Sequence, residues 1–301
     1  MKKLNSLMIM LLATCIFFAC RKNDNPRLPE GIVKSVLPQL SITGGGDVII
    51  QQMSAFKTNI QVALYFPNGE QPQKMDLRVI LNGNYNNIQT IQANITTFPT
   101  TVTVTGPQLA QLFGLNVNNP PTGSSFTIAP DITLKNGKVI QAFTTGLSGA
   151  TVINLPPFGT DAHSFPNSTL TLNFPIVCPL NMHLYAPEVG FSILNVQDPD
   201  FWGNYTVRAQ IGSGADTAKL TLLDWVQIPN AAVVAIVNVK TQQVTVPKVT
   251  YAPLLLTTPY HNPTVSGSGN MSTCDTSILL TLTNTVTEGS FGNANTRISV
   301  H

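Results

Sequence analysis

Charged side chains are scarce: only 10% of the 301 residues are Asp, Glu, Lys or Arg, and the formal net charge is +2. No block of like charge appears beyond the first residues, so there is no electrostatic footprint for nucleic acid. Histidine is limited to His163, His183, His261 and His301. None falls in a HExxH or HxH arrangement, and each reads as an ordinary loop or surface residue. No Gly-x-Ser-x-Gly elbow is present. Gly44-Gly45-Gly46-Asp47 lacks the Lys and Ser/Thr of a phosphate loop and reads as a flexible turn or edge. Carboxylates are too sparse to signal the paired acids of a hydrolase. The chain is therefore expected to be non-catalytic and to use no metal or other cofactor; a hydrolase is the least favoured function.

What is present begins with an export signal. Lys2 and Lys3 precede an apolar run from Leu7 to Phe18 and then Ala19-Cys20, the layout of a secretory signal. The run is too short to span a bilayer, which needs about 20 apolar residues. Its ending, Phe17-Phe18-Ala19-Cys20, resembles the lipobox, in which signal peptidase II cuts before a cysteine that carries diacylglycerol. Residues 1–19 are thus expected to be a lipoprotein signal peptide and Cys20 the lipidation site. Residues 20–31 read as a short polar tether. Cys15 lies inside the apolar run. With lipid on Cys20, Cys178 and Cys274 remain as a natural pair in an oxidising compartment. Closing a loop of that length would stabilise the fold by about 4 to 5 kcal/mol in the chain-entropy picture. Two free buried thiols are the alternative.

Turn and strand formers dominate the rest. The 22 prolines and 21 glycines are spread along the chain, Thr, Val, Asn and Ile are plentiful, and helix formers are few. Period-two alternation is legible at Ile60, Val62, Leu64 and Phe66, and again at Leu77, Val79 and Leu81. It recurs at Thr101–Thr105, Ser125–Ile128 and Val139–Thr144. Further strands are expected around Leu170–Phe174, Tyr205–Ala209, Lys219–Leu223, Val233–Val239, Gln243–Val249, Ser277–Thr283 and Thr296–Val300. One helix is signalled at Gly106–Gly114, with Pro at its first helical position and Gly at its end. The expected fold is all-β: two tandem β-sandwich (immunoglobulin-like) or barrel-like domains, with that short helix in the first. The turn-rich stretch from Leu155 to Pro166 suggests the boundary. It divides the chain into a first domain over 32–155, a linker over 156–168 and a second domain over 169–301.

Phe201-Trp202-Gly203-Asn204-Tyr205, Gln243-Val244-Thr245-Val246, Gly267-Ser268-Gly269 ahead of Cys274, Leu280-Thr281-Leu282 and Gly289-Ser290-Phe291-Gly292 together resemble a known β domain. It recurs at the end of small lipoproteins encoded beside SusC/SusD-type outer-membrane nutrient importers of the Bacteroidota. The first half, with Tyr65-Phe66, Asp76-Leu77-Arg78-Val79, Phe98–Val102 and the helix, looks like the immunoglobulin-like module that precedes it. After Gly292 the sequence departs from the pattern, with Asn293-Ala294-Asn295 where an aromatic is expected. The resemblance implies an accessory lipoprotein of the outer membrane, on either face, with no catalytic residues to carry over. Its implied partners are the membrane, a β-barrel importer and its SusD-like lipoprotein.

Aromatic residues are the remaining candidates, because sugar binding on a β scaffold relies on rings stacking against pyranose faces. Trp202, Tyr205, Tyr251 and Tyr260 are the candidate ligand-binding residues, several of them at loop positions. Trp225 follows an apolar strand and reads as a core anchor; Trp202 and Tyr260 are open to either role. Asp198-Pro199-Asp200, with Asn195 and Asn204, has the oxygens for a calcium ion, but Asp and Pro also begin turns for local reasons, and the turn is favoured. Asp216-Thr217-Ala218 looks like a bacterial O-glycosylation tripeptide, making Thr217 a possible glycan site. Two roles follow for the chain: an accessory or ligand-capturing subunit of a glycan or peptide importer, or a carbohydrate-binding surface protein acting alone.

Overall fold

The computed structural model describes residues 36–214, 218–252 and 259–301. The expected signal peptide, the tether, Cys20 and Thr217 lie outside the described residues. The fold is all-β, as expected. A two-sheet sandwich comes first. One sheet has the order β1 (Pro38–Thr43), β2 (Lys57–Leu64) and β5 (Thr100–Thr105). The other runs β10 (Leu172–Pro175), β6 (Ser125–Thr133), β3 (Lys74–Leu81) and β4 (Gln89–Ile95), with β7 (Val139–Ile140) also on β6. Strand alternation supplies the core: Ile60, Val62 and Leu64 from β2 face Met75, Leu77 and Val79 from β3 in one buried cluster. Phe66, expected on the same face, lies beyond the strand end and is half-exposed against Tyr65 and Phe165.

The helix forms as its signals predict. In α1 (Gly106–Phe113) the Thr105 hydroxyl accepts from the Gln108 N–H, and Gly114 turns the chain away at φ +67°. Leu109 and Ala110 enter the sandwich core. A second helical turn, α2 (Thr160–His163), was not anticipated.

The domain boundary expected over 156–168 is displaced. Residues 141–168 are an excursion holding a small hairpin, β8 (Thr145–Ser148) with β9 (Thr151–Asn154), and α2. The chain then returns to add β10 to β6, with Phe174 opposite Phe126. Phe174 is buried in the sandwich and meets Phe56 edge-on at 5.5 Å. A parallel bridge from Ile50 to Ile176 follows. The sandwich therefore extends through Ile176, well past the first domain expected over 32–155. Density of turn formers marks a loop, and only the partner of the next strand tells whether that loop leaves the domain.

The second half is a closed barrel rather than a sandwich. Its strands are β11 (Ser192–Asp198), β12 (Gly203–Ile211), β13 (Lys219–Leu223), β14 (Ala232–Val237), β15 (Gln243–Thr250), β16 (Thr264–Ser272), β17 (Ser277–Val286) and β18 (Gly289–Val300). Each pairs antiparallel with the next, and β18 returns to β11 with Ile298 opposite Val196. Closure removes the edges that invite aggregation. Eight strands leave an interior just wide enough for side chains or one small ligand. Gly267 and Gly269 occupy inward positions of β16, where it presses on β17. A Cβ at Gly269 would lie 1.8 Å from the Leu279 carbonyl oxygen, and one at Gly267 2.2 Å from that of Thr281.

The end of the barrel nearer the sandwich is sealed. Tyr185, after the 3-10 turn Met182–Leu184, is buried there and donates to the Ser272 carbonyl at 2.6 Å. Cys178 and Cys274 form a disulfide, 5.3 Å between Cα atoms. It ties the segment leaving the sandwich to the β16–β17 turn, so the bridge expected inside the second domain fastens that domain to its approach. Gln51 of the sandwich donates to the Val239 carbonyl at 2.7 Å and accepts from the Leu180 N–H at 2.9 Å. Gln242, buried, donates to the Cys178 carbonyl at 2.7 Å.

Gly269→Ala tests the tight contact in β16: urea unfolding is expected to show a loss of about 3 kcal/mol or more, since backbone must move. Ser268→Ala, on the exposed side of the same strand, is expected to stay within about 0.5 kcal/mol.

Candidate functional site

The turns joining β11 to β12, β13 to β14 and β17 to β18 gather at the barrel end remote from the sandwich, together with Tyr251, Tyr260 and Pro263 from between β15 and β16. They surround a cavity of about 260 Å³ whose walls include Trp202, Val226, Tyr251, Tyr260, Asn284 and Phe291. Trp202, Tyr260 and Phe291 form its rim at 44%, 43% and 40% exposure. Tyr260 and Phe291 meet edge-on at 5.1 Å.

Local interactions explain how each wall is set. At the β11–β12 turn, Asp198 Oδ1 accepts from the Phe201 N–H at 3.1 Å, and Asp200 Oδ2 accepts from the Asn295 N–H at 2.8 Å. These bonds hold Trp202 on the rim. They also send the two carboxylates apart, one into the barrel and one onto β18, so Asp198-Pro199-Asp200 acts as a turn. Among the described residues no three His, Cys, Asp or Glu side chains converge as metal ligands. Tyr260 is placed by its neighbour: the His261 N–H donates to Glu288 Oε2 at 2.9 Å, and the His261 ring pairs with Oε1 of the same carboxylate. That ring holds the Glu288 carboxyl below its usual range. The loop is stitched further by the Thr287 N–H donating to the His261 carbonyl at 2.8 Å.

Val226 reaches the cavity through unusual backbone. Asp224, Val226 and Gln227 all adopt left-handed φ values, of 63°, 48° and 62°. Three such residues within four positions, none of them glycine, constitute stored strain of the kind that clusters at functional sites. The turn is held by Asp224, whose carboxylate receives Arg208 at 3.1 Å and the Asn230 N–H at 2.9 Å. The Arg208 hydrogen bonds, first among its influences, hold Asp224 down to about 2. The same turn drives Trp225 into the barrel core, where it meets Tyr205 edge-on at 5.9 Å.

Beneath the rim, the interior is unexpectedly polar. Asn284 is 3% exposed, and neither its Nδ2 nor its Oδ1 has a hydrogen-bond partner. The β17–β18 ladder shifts register between Asn284 and Thr285, an irregularity that re-aims side chains next to sites. Asp198 Oδ2, the Tyr205 hydroxyl, Thr296 Oγ1 and Trp225 Nε1 are also buried without a partner. Burying such groups unpaired costs stability. Desolvation raises the Asp198 carboxyl above its ordinary 3.8, against the turn N–H groups that lower it. Desolvation, and then the Asp198 charge, push Tyr251 up to about 12. Tyr205 is raised for the same reasons. The Val226 backbone opposes that shift without reaching hydrogen-bond geometry.

Of the residues singled out from sequence, Trp202, Tyr251 and Tyr260 come together here. Tyr205 does not: it is buried behind Trp225 and is core, because its place on β12 points it inward. Trp225 is core, as its apolar approach suggested. Phe291, Asn284 and Val226 were not picked out. Phe291 sits within the Gly-Ser-Phe-Gly motif, and Asn284 continues the inward series Ile278, Leu280, Leu282, so a polar residue in phase with a core stripe was the available signal. The chain matches no protein-family model, no curated protein and no solved structure. Geometry alone therefore speaks for this site. What it offers is flat apolar walls and one carboxamide, an arrangement suited to holding a molecule.

Asp198→Asn keeps the oxygen that accepts from Phe201 but cannot ionise. Because burial raises the folded pKa above 3.8, the wild type loses stability as pH rises from 3.8 through the folded value and carries the full penalty at neutrality. The variant is expected to melt higher than wild type at pH 7, with the gap closing toward pH 3.8; thermal melts across that range measure it.

Proposed function

We propose that the chain is a non-catalytic outer-membrane lipoprotein, anchored through lipid on Cys20, that captures a ligand for a SusC/SusD-type nutrient importer. The observation that carries this reading is the aromatic-rimmed cavity at the barrel end remote from the sandwich. An anchored capture protein needs its recognition surface clear of its attachment, and in chain order the tether joins the sandwich, not the barrel. The strained turn and the unpaired polar floor concentrate at the same mouth, where stability alone would favour aliphatic packing. The resemblance carried by Gly267-Ser268-Gly269 and Gly289-Ser290-Phe291-Gly292 supplies the importer as partner. A carbohydrate-binding protein acting alone is the second reading, favoured by the exposed Trp202 and Tyr260, whose rings suit stacking on sugars.

Affinity capture of the chain from native membranes is expected to bring down a β-barrel importer with its SusD-like lipoprotein. A fatty-acid analogue is expected to label the wild type and not Cys20→Ala. Capture without any importer, together with glycan-array binding lost in Trp202→Ala, would establish the second reading; an unlabelled, soluble wild type would end the first.

A further inference from the structure

We infer that the barrel mouth takes a neutral small molecule with a flat apolar body and a single amide-like head that both donates and accepts a hydrogen bond. The inference rests on reading this mouth as the binding site and names what the site selects.

Size is the first constraint. A cavity of about 260 Å³ falls below the roughly 300–1,000 Å³ typical of pockets for drug-sized ligands, so it suits a fused ring pair rather than an extended chain. The walls are the second. Val226, Ile228, Pro263 and the aromatic rings dominate the lining, and among the described residues no charged side chain belongs to it. An oligosaccharide seated there would lose water from many hydroxyls and regain few partners, a cost of about 1–3 kcal/mol for each unsatisfied group. An anion fares worse, since no cationic side chain among the described lining residues compensates a buried negative charge.

Asn284 sets the head group. It is the deeply buried amide of the lining; its acceptor Oδ1 and donor Nδ2 both lack protein partners and are closed to solvent, so a head group meets them once the side chain turns toward the mouth. The complement of a carboxamide is another donor–acceptor pair in one plane, as in a primary amide or a lactam. A carboxylate would present two acceptors and a negative charge. It would also meet the field of Asp198, which already acts on Tyr251 in the wall. A site built to hydrogen-bond a head group discriminates strongly against analogues lacking it, because its own buried groups are then left unpaired. Trp202, Tyr260 and Phe291 supply ring faces and edges for a flat body.

The test uses the full chain carrying Cys20→Ala, so that neither lipid nor detergent competes for the cavity, with titration calorimetry against defined probes. 2-Naphthamide is expected to bind saturably, and 2-naphthoate about tenfold or more weaker. Asn284→Leu is expected to weaken 2-naphthamide about tenfold or more while leaving 2-methylnaphthalene, which has no head group, bound as well as in the Cys20→Ala parent. Phe291→Ala, on the exposed rim, is expected to weaken amide and hydrocarbon alike. Equal affinity for amide and carboxylate, or an unchanged amide affinity in a folded Asn284→Leu protein, would overturn the inference. Maltohexaose binding that is lost in Trp202→Ala, with no naphthamide signal, would overturn the ligand class and keep the mouth as the site. Binding of none of these probes by the folded parent would overturn both. The probe series on the parent chain decides the question even if Asn284→Leu fails to fold.

Discussion

The lateral pairing of β18 with β11, Ile298 against Val196, converts a meander of hairpins into a tube, and the constraints on the C-terminal half follow from it. Once the tube closes, every second residue of every strand must fit a cross-section only as wide as eight strands allow. Where β16 lies hardest against β17 there is no room for a Cβ, and Gly267 and Gly269 stand at those inward positions. A tube also has two ends that need filling. Tyr185 and the adjoining disulfide secure one. Trp225 fills the other only in part, leaving the cavity above it.

The contents of the barrel divide along its axis. Ile278, Leu280 and Leu282 pack as a core should, and one more inward step reaches Asn284. Asp198, Tyr205 and Thr296 also bury polar atoms within the barrel that find no partner. Aliphatic side chains at these positions would pack at lower cost. The same end contains the left-handed run at Asp224, Val226 and Gln227, held by the Arg208 pair. Local features that oppose stability and gather in one place indicate a site whose composition answers to something other than packing.

Much of the fold was legible where alternation is clean. Strand β13 matches its expected limits, and the helix starts one residue before Pro107 and ends at Gly114 as expected, because capping is a local matter. The unread strands have physical reasons. In β16 the glycines hide the inward stripe, and in β11 the alternation Leu194, Val196 ends on a buried aspartate. The boundary drawn at Leu155–Pro166 failed because β10 pairs backward onto β6, a contact that no local signal encodes. At the site, aromatic residues in loops pointed to Trp202, Tyr251 and Tyr260, while Tyr205, equally aromatic, was turned inward by strand phase.

Side-chain chemistry along the chain was enough to settle an all-β protein, its turns, its helix caps and the pairing of Cys178 with Cys274 as the natural choice. These depend on neighbours a few residues apart or, for the cysteines, on the expectation that Cys15 leaves with a signal peptide and Cys20 carries lipid. Tertiary structure alone decided that the second half closes as a barrel, that β10 belongs to the sandwich, and that Phe291 and Asn284 meet Trp202 and Tyr260 around one cavity. Each of those outcomes turns on which strand lies beside which, and in what register. Register is set by the collective packing of residues far apart in sequence, and a shift of one residue in β17 would turn Asn284 to the opposite face.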